Sequence, residues 1–256
     1  MRLLAIPLLT IALVDSASAQ LLGTSTIDLS LSQMSQRSML STSIFNSSMA
    51  TQAAKNGAGK AGPRTPASTA KSPGGTPGGP SPVPGSTTFR PVASSLIPQV
   101  LAELQAKTPL ERQQRERQNL AHLESFKVIL RRNGGEVHDV ARAVSAFIMA
   151  NYAAIAGKEL TPQQASSLRE QVRQTFATDP KFQASDDRQR QLIYETMAIV
   201  ADVIWANTAE AREKNDAQLM EKVRAVARKQ LEQFLEVASD RIVLTENGMS
   251  VGGPKP

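Results

Sequence analysis

The feature that most constrains the fold is a ten-residue stretch, MAIVADVIWA, at positions 197–206. At about 100° per residue, the apolar side chains in and just before this stretch cover most of the circumference of a helix. A helix that is apolar on most sides belongs in the middle of a bundle. The apolar run is too short to cross a membrane, because polar residues flank it at 189–191 and from Asn207 onward.

The remaining strip of this central helix carries Gln191, Glu195 and Asp202. We expect Asp202 to lie on a narrow strip that reaches solvent or meets an arginine of a neighbouring helix. The alternative is an acid/base pair formed by Glu195 and Asp202. Seven residues span about 10.5 Å along a helix, which exceeds the carboxyl separation of retaining glycosidases, and of inverting ones unless the side chains lean together. The pattern therefore favours an exposed or ion-paired strip, and these two carboxylates are the only catalytic candidates.

Capping residues and helical periodicity predict the other helices. Thr108 and Thr161 each precede a proline and a glutamate or glutamine at the third helical position, which is typical of a helix start. The predicted helices occupy residues 94–104, 109–132, 137–156, 162–178, 185–214 and 216–238. Several connections are only a few residues long, so consecutive helices should be antiparallel. The sequence thus predicts an all-α fold, a single bundle of about five to six helices in residues 89–246, with a candidate short extended segment at 241–245 and a disordered tail at 247–256.

The first nineteen residues have the pattern of a secretory signal peptide. Arg2 precedes a mainly apolar run of twelve residues, 3–14, and Ala17-Ser18-Ala19 then forms a small-residue cleavage site. A membrane span needs roughly 20 apolar residues. We therefore expect cleavage between Ala19 and Gln20 and export to the periplasm or the exterior. The chain has no cysteine, so neither a lipid-anchored form nor a disulfide framework is expected.

Residues 20–88 are predicted to be disordered. The arm that follows the signal is rich in serine and threonine, and residues 56–85 form a proline- and glycine-rich linker with almost nothing apolar to bury. Polar and apolar residues alternate at 28–31, so a short strand or docking segment is an open alternative there.

The basic pI of 9.8 belongs mainly to the arm. Residues 20–89 hold five basic groups and one acidic group, a net charge of +4, whereas residues 90–256 hold 23 basic and 21 acidic groups. Thinly spread charge of this kind favours a nonspecific role, such as weak adhesion to peptidoglycan, lipid headgroups or nucleic acid. The sequence has no dense cluster of lysine and arginine, so it does not indicate a specific nucleic-acid site.

The sequence predicts no metal centre and no cofactor. His122 and His138 are the only histidines, and Asp139 beside His138 faces a different direction on a helix. No third ligand lies nearby in sequence. A nucleophile elbow, a phosphate-binding glycine loop and an HExxH motif are all missing from the sequence.

Residues 89–249 resemble a family of uncharacterised exported bacterial proteins. The resemblance rests on GGEVHDVARAVSAFIMANYAAIAGKEL, RQRQLIYETMAIVADV, RAVARKQLEQFLEV and the late TENGMSV. In that family a signal peptide and a low-complexity stretch precede a helical domain of unknown function. The resemblance implies export and an all-helical fold, and it transfers no catalytic residue.

Three functional hypotheses follow from these observations. The first is a non-enzymatic exported protein whose helical domain binds a partner protein or a cell-envelope component. The second is a cell-envelope hydrolase that uses Glu195 and Asp202. The third is self-association through the polar first half of the second helix, at residues 111–119.

Overall fold

A computed structural model of the chain describes residues 85–92 and 95–252. The predictions for the signal peptide, the arm and most of the linker, at residues 1–84, lie outside the described residues. The same holds for residues 253–256 of the predicted tail.

Seven α-helices and one β-hairpin form the described part of the chain. The helices are α1 (Ile97–Gln105), α2 (Pro109–Arg132), α3 (Val140–Ala156), α4 (Pro162–Thr178), α5 (Pro180–Gln183), α6 (Asp187–Glu213) and α7 (Ala217–Leu235). A 3-10 turn (Ser239–Arg241) leads into strands β1 (Ile242–Thr245) and β2 (Gly248–Val251). The predicted all-α bundle is confirmed, and the count exceeds six because the four-residue α5 follows the break at Asp179.

The predicted helix starts agree with the caps in the structure. The hydroxyl of Thr108 accepts from the backbone N–H of Glu111, and Thr161 forms a complete capping box with Gln164. The third helix begins at Val140 rather than 137, because His138 has a φ of 70° and Asp139 supplies the cap.

The last helix is shorter than predicted. It ends at Leu235 rather than near 238, because Glu236 adopts a left-handed conformation with a φ of 54°.

Helix α6 lies in the middle of the bundle, as its all-round apolar surface predicts. It packs most extensively against α3 and also contacts α1, α2 and α7. Its side chains at Met197, Ile199 and Ile204 are almost fully buried. Burial of such side chains contributes about 1.5–3 kcal/mol each, so the packing of α6 is a major source of stability.

The hairpin corrects the prediction that residues 247–256 form a disordered tail. Residues 248–251 pair antiparallel with β1, so that Leu244 lies opposite Met249. Helix α4 secures both strands through glutamine side chains. Gln164 donates to the carbonyl of Leu244 (3.1 Å), and Gln171 both donates to and accepts from the backbone of Met249 (2.9 and 2.7 Å). An Asn-Gly pair between two apolar segments is a hairpin signal that the sequence analysis missed.

Substitution of Gly248, in the hairpin, is predicted to destabilise the protein. Its φ is +104°, and an added Cβ would lie 2.6 Å from the Oε1 atom of Gln171. Because Gln171 is fixed by two hydrogen bonds to Met249, Gly248→Ala should lower the free energy of unfolding by about 2–3 kcal/mol. Urea unfolding measures this loss.

Gly134→Ala is the matched control for this substitution. Gly134 also has a positive φ, +64°, but nothing lies within 4 Å of its added Cβ. Only the backbone cost remains, so we expect a loss of about 1 kcal/mol. Equal losses in the two variants would contradict the account of how α4 holds the hairpin.

Candidate functional site

The polar strip of α6 is buried in the structure. Glu195 and Asp202 are only 3% and 5% exposed. The expectation that this strip reaches solvent is therefore wrong. Helices α1 and α2 and residues 85–92 cover the strip, and the polar groups of α6 have their partners in these segments.

Glu195 caps the N-terminus of α1. Its Oε2 atom accepts hydrogen bonds from the backbone N–H groups of Leu96 (2.7 Å) and Ile97 (2.9 Å). Its Oε1 atom accepts from Nε2 of Gln191 at 2.7 Å. Leu96, at the N-cap position, has no side chain that could cap the helix. The carboxylate of Glu195 thus satisfies amide groups that α1 leaves unpaired, and its charge interacts favourably with the helix dipole.

Asp202 binds two side chains of α2. Its Oδ2 atom lies 2.8 Å from Nδ1 of His122, and its Oδ1 atom accepts from the hydroxyl of Ser125 at 2.8 Å. The partners of Asp202 are therefore a histidine and a serine rather than the expected arginine. A separation of 80 residues between His122 and Asp202 hides this pair from local sequence patterns.

The Asp202 cluster contains only part of a catalytic arrangement. Asp202 orients His122, whose side chain is 17% exposed. A carboxylate that orients a histidine is one component of a general base. A nucleophile–base pair also requires the hydroxyl to bond the histidine. Ser125 instead donates to Asp202. The cluster therefore ties α2 to α6, and it lacks the serine–histidine bond of an activated nucleophile.

Arg190 is a buried arginine that the sequence analysis did not single out. Its side chain is fully buried, and its guanidinium lies 4.6 Å from the centre of the Phe182 ring. Burial lowers the pKa of Arg190 from its ordinary value. It donates hydrogen bonds, at 3.0–3.4 Å, to five oxygen atoms: the carbonyls of Ser86, Thr88, Phe182 and Gln183 and the hydroxyl of Ser185.

Residues 85–92 are docked on the domain. Four of them, at 85–88, belong to the segment predicted as disordered linker, and that prediction is wrong for these four. Thr87 donates to Oδ1 of Asp139 at 2.7 Å, and the N–H of Val92 donates to Gln191 at 3.0 Å. Together with Arg190 and Glu195, Gln191 fixes residues 86–92 and the start of α1.

His138 lies beneath the docked segment rather than on a helix. Its ring packs against the rings of Phe89 and Tyr194, and its carbonyl accepts from the N–H of Phe89 at 3.0 Å. Burial, and then the charges of Lys127 and Arg131, lower the pKa of His138 below its ordinary value. Within residues 85–92 and 95–252, no group of three histidine, cysteine, aspartate or glutamate side chains could hold a metal ion.

The fold and this site define an all-helical protein with a docked N-terminal segment and a small hairpin. The chain belongs to a family of unknown function, DUF6683, whose model matches residues 1–252. Comparison with curated proteins and with solved structures finds no match. In the described part of the chain, no helix is long and apolar enough to cross a membrane.

Replacing Arg190 should destabilise the protein strongly. Arg190→Met keeps much of the volume but removes a buried donor that the surrounding oxygens share, so we expect a loss of about 2–4 kcal/mol in the free energy of unfolding. Arg188→Met, at an exposed position two residues earlier, should change it by less than about 0.5 kcal/mol. Urea unfolding of both variants checks this, and similar losses would contradict a structural role for the buried guanidinium.

The lowered pKa of His138 predicts that acid destabilises the protein. In the unfolded chain the imidazole takes up a proton near pH 6.5, whereas in the folded protein it does so only at lower pH. The unfolded state therefore binds more protons between these values, and stability falls as the pH drops below about 6.5. His138→Asn tolerates the positive φ and removes this titration. Unfolding from pH 7 to 5 should show a smaller loss in the variant, and an equal loss would contradict the assignment.

Proposed function

We propose that the protein is exported and that its helical domain binds a partner protein or a component of the cell envelope without catalysing a reaction. The observation that carries the proposal is the complete engagement of the two candidate catalytic carboxylates. Each oxygen of Glu195 and Asp202 has a hydrogen-bond partner within the fold. A general acid or base needs an oxygen that can reach the substrate or a water.

The docked segment supports a binding role. Residues 86–92 and the start of α1 are held by Arg190, Gln191 and Glu195, so the preceding linker joins the domain at a fixed point. About thirty linker residues can span tens of ångströms. This arrangement suits a folded binding domain that is held at a distance from whatever the arm contacts.

The alternative of a cell-envelope hydrolase requires Glu195 and Asp202 to act together. The burial of both side chains and their separate partners on α1 and α2 weigh against it. Hydrolysis of cell-wall sugars by the wild type, with loss of activity in both Glu195→Gln and Asp202→Asn while folding stays intact, would favour the hydrolase and contradict the proposed function.

Export has its own test. Ala19 occupies the small-residue position before the proposed cleavage site, and leucine should block processing there. We expect the wild-type protein, recovered from outside the cytoplasm, to begin at Gln20 by mass spectrometry. Ala19→Leu should accumulate as the uncleaved chain, whereas Ala5→Leu, inside the apolar run, should be processed normally. Wild-type chains that all begin at Met1 would contradict export by this route.

Binding by the helical domain is tested by crosslinked affinity capture from the cell envelope. Two proteins are compared, one beginning at Gln20 and one beginning at Gly85, the first residue of the docked segment. The proposal predicts the same specific binding partner with both. Capture by the longer chain alone would place binding in the arm and contradict a role for the domain.

A further inference from the structure

We propose that a cationic surface beside the docked segment binds an anionic phospholipid bilayer, an inference that rests on the proposed function and names its envelope component. This surface, called the basic patch below, consists of side chains from α2, α3 and α4. Its members are Lys127, Arg131, Arg132, Arg142, Arg169 and Arg173.

The fold brings these cations together from three helices. Arg142 lies close enough to Arg169 for its charge to lower the pKa of the second guanidinium, after the larger effect of burial. Arg142 also lies over the α2–α3 connection, with a guanidinium nitrogen 3.1 Å from the Cβ position of Gly135. Lys127 and Arg131 act on the pKa of His138 in the same connection. The patch therefore surrounds the end of α2 and the start of α3.

Half of the basic patch has no anionic partner among residues 85–92 and 95–252. Lys127 pairs with Glu124 and Arg173 with Glu170, both at 2.7 Å, and Arg142 lies 3.7 Å from Asp139. Arg131, Arg132 and Arg169 form no ion pair there. A phosphate placed between two neighbouring guanidiniums accepts charge-assisted hydrogen bonds from both and offsets their mutual repulsion.

The basic patch carries more positive than negative charge. The six cations of the basic patch and the four nearby carboxylates, Glu124, Glu136, Asp139 and Glu170, give a net charge of +2. Residues 90–256 as a whole hold 23 basic and 21 acidic groups, also a net charge of +2. This local excess of positive charge favours an orientation in which the basic patch faces a negatively charged surface.

The patch also adjoins the point where the basic arm joins the domain. Thr88 forms a β-bridge with Asp139, one helical turn before Arg142. The arm adds a net charge of +4 over residues 20–89, with scattered leucine, isoleucine and methionine. Val128, 39% exposed, lies on α2 between Lys127 and Arg131. Cations beside exposed apolar groups favour a lipid interface over a soluble polyanion.

The test is cosedimentation of the chain beginning at Gln20 with vesicles of phosphatidylcholine, alone or with 30 mol% phosphatidylglycerol. We expect binding only to the anionic vesicles, weaker in high salt. Each cation near such a surface contributes about 1 kcal/mol, so Arg142→Gln/Arg169→Gln should bind on the order of thirtyfold more weakly. Arg112→Gln/Arg228→Gln removes the same charge from exposed positions elsewhere and should bind like the wild type.

Circular dichroism and thermal unfolding establish that the variants are folded, and Arg131→Gln/Arg132→Gln, at the exposed end of α2, gives a second variant of the patch. Equal weakening by the control pair would assign binding to net charge and overturn the proposal. Unchanged binding in both patch variants would assign vesicle binding to the arm and would also overturn the proposal. Absence of binding to anionic vesicles, or binding to soluble polyphosphate alone, would also overturn it.

The outcome is distinguishable from failure of the proposed function. Vesicle binding is measured on the purified protein and needs neither export nor a protein partner. If the protein binds anionic vesicles through the patch but is never exported, this inference is supported and the proposed export is contradicted. If the protein is exported and captures a specific protein but does not bind vesicles, the proposed function is supported and this inference is contradicted.

Discussion

The polar strip of α6, from Arg190 to Asp202, holds the N-terminal part of the domain in place. A buried carboxylate or guanidinium is costly unless hydrogen bonds compensate its lost hydration. The compensating groups come from residues 86–92, from the start of α1, from α2 and, for Arg190, also from residues 182–185. Burial of the strip and docking of these segments therefore require one another. Apolar packing around α6 supplies most of the driving force, while the polar contacts select one arrangement of α1 and α2.

This coupling gives the carboxylates of Glu195 and Asp202 a structural role. A charged pair on a central helix suggests chemistry when it is read from the sequence alone. In the fold, Glu195 replaces a missing N-cap on α1, and Asp202 ties His122 and Ser125 of α2 to α6. The basic patch, which we propose to bind anionic lipid, lies beside the docked segment and includes neither of these carboxylates.

Local signals predicted the helices well because their causes are local. Thr161 with Gln164 and Asp186 with Gln189 cap their own helices, and the apolar surface of residues 197–206 required a central position. Contacts between distant segments could not be predicted in this way. Arg190 has an ordinary helical sequence context, yet it binds carbonyls about a hundred residues earlier in the chain. The extended segment expected at 241–245 corresponds to β1. Its pairing with β2 was not predicted, although Asn247-Gly248 is a recognised turn signal, because the short strands show little periodicity.

The most direct test of the central claim is hydrogen exchange on Glu195→Ala, with Glu213→Ala, an exposed acid of the same helix, as control. Removing the carboxylate leaves the amides of Leu96 and Ile97 without their acceptor. The account predicts that exchange becomes at least about tenfold faster in residues 95–105 and in the part of α2 packed on them, while α3 and α7 remain protected. Unchanged exchange at Leu96 and Ile97, or uniform acceleration across all helices, would contradict it.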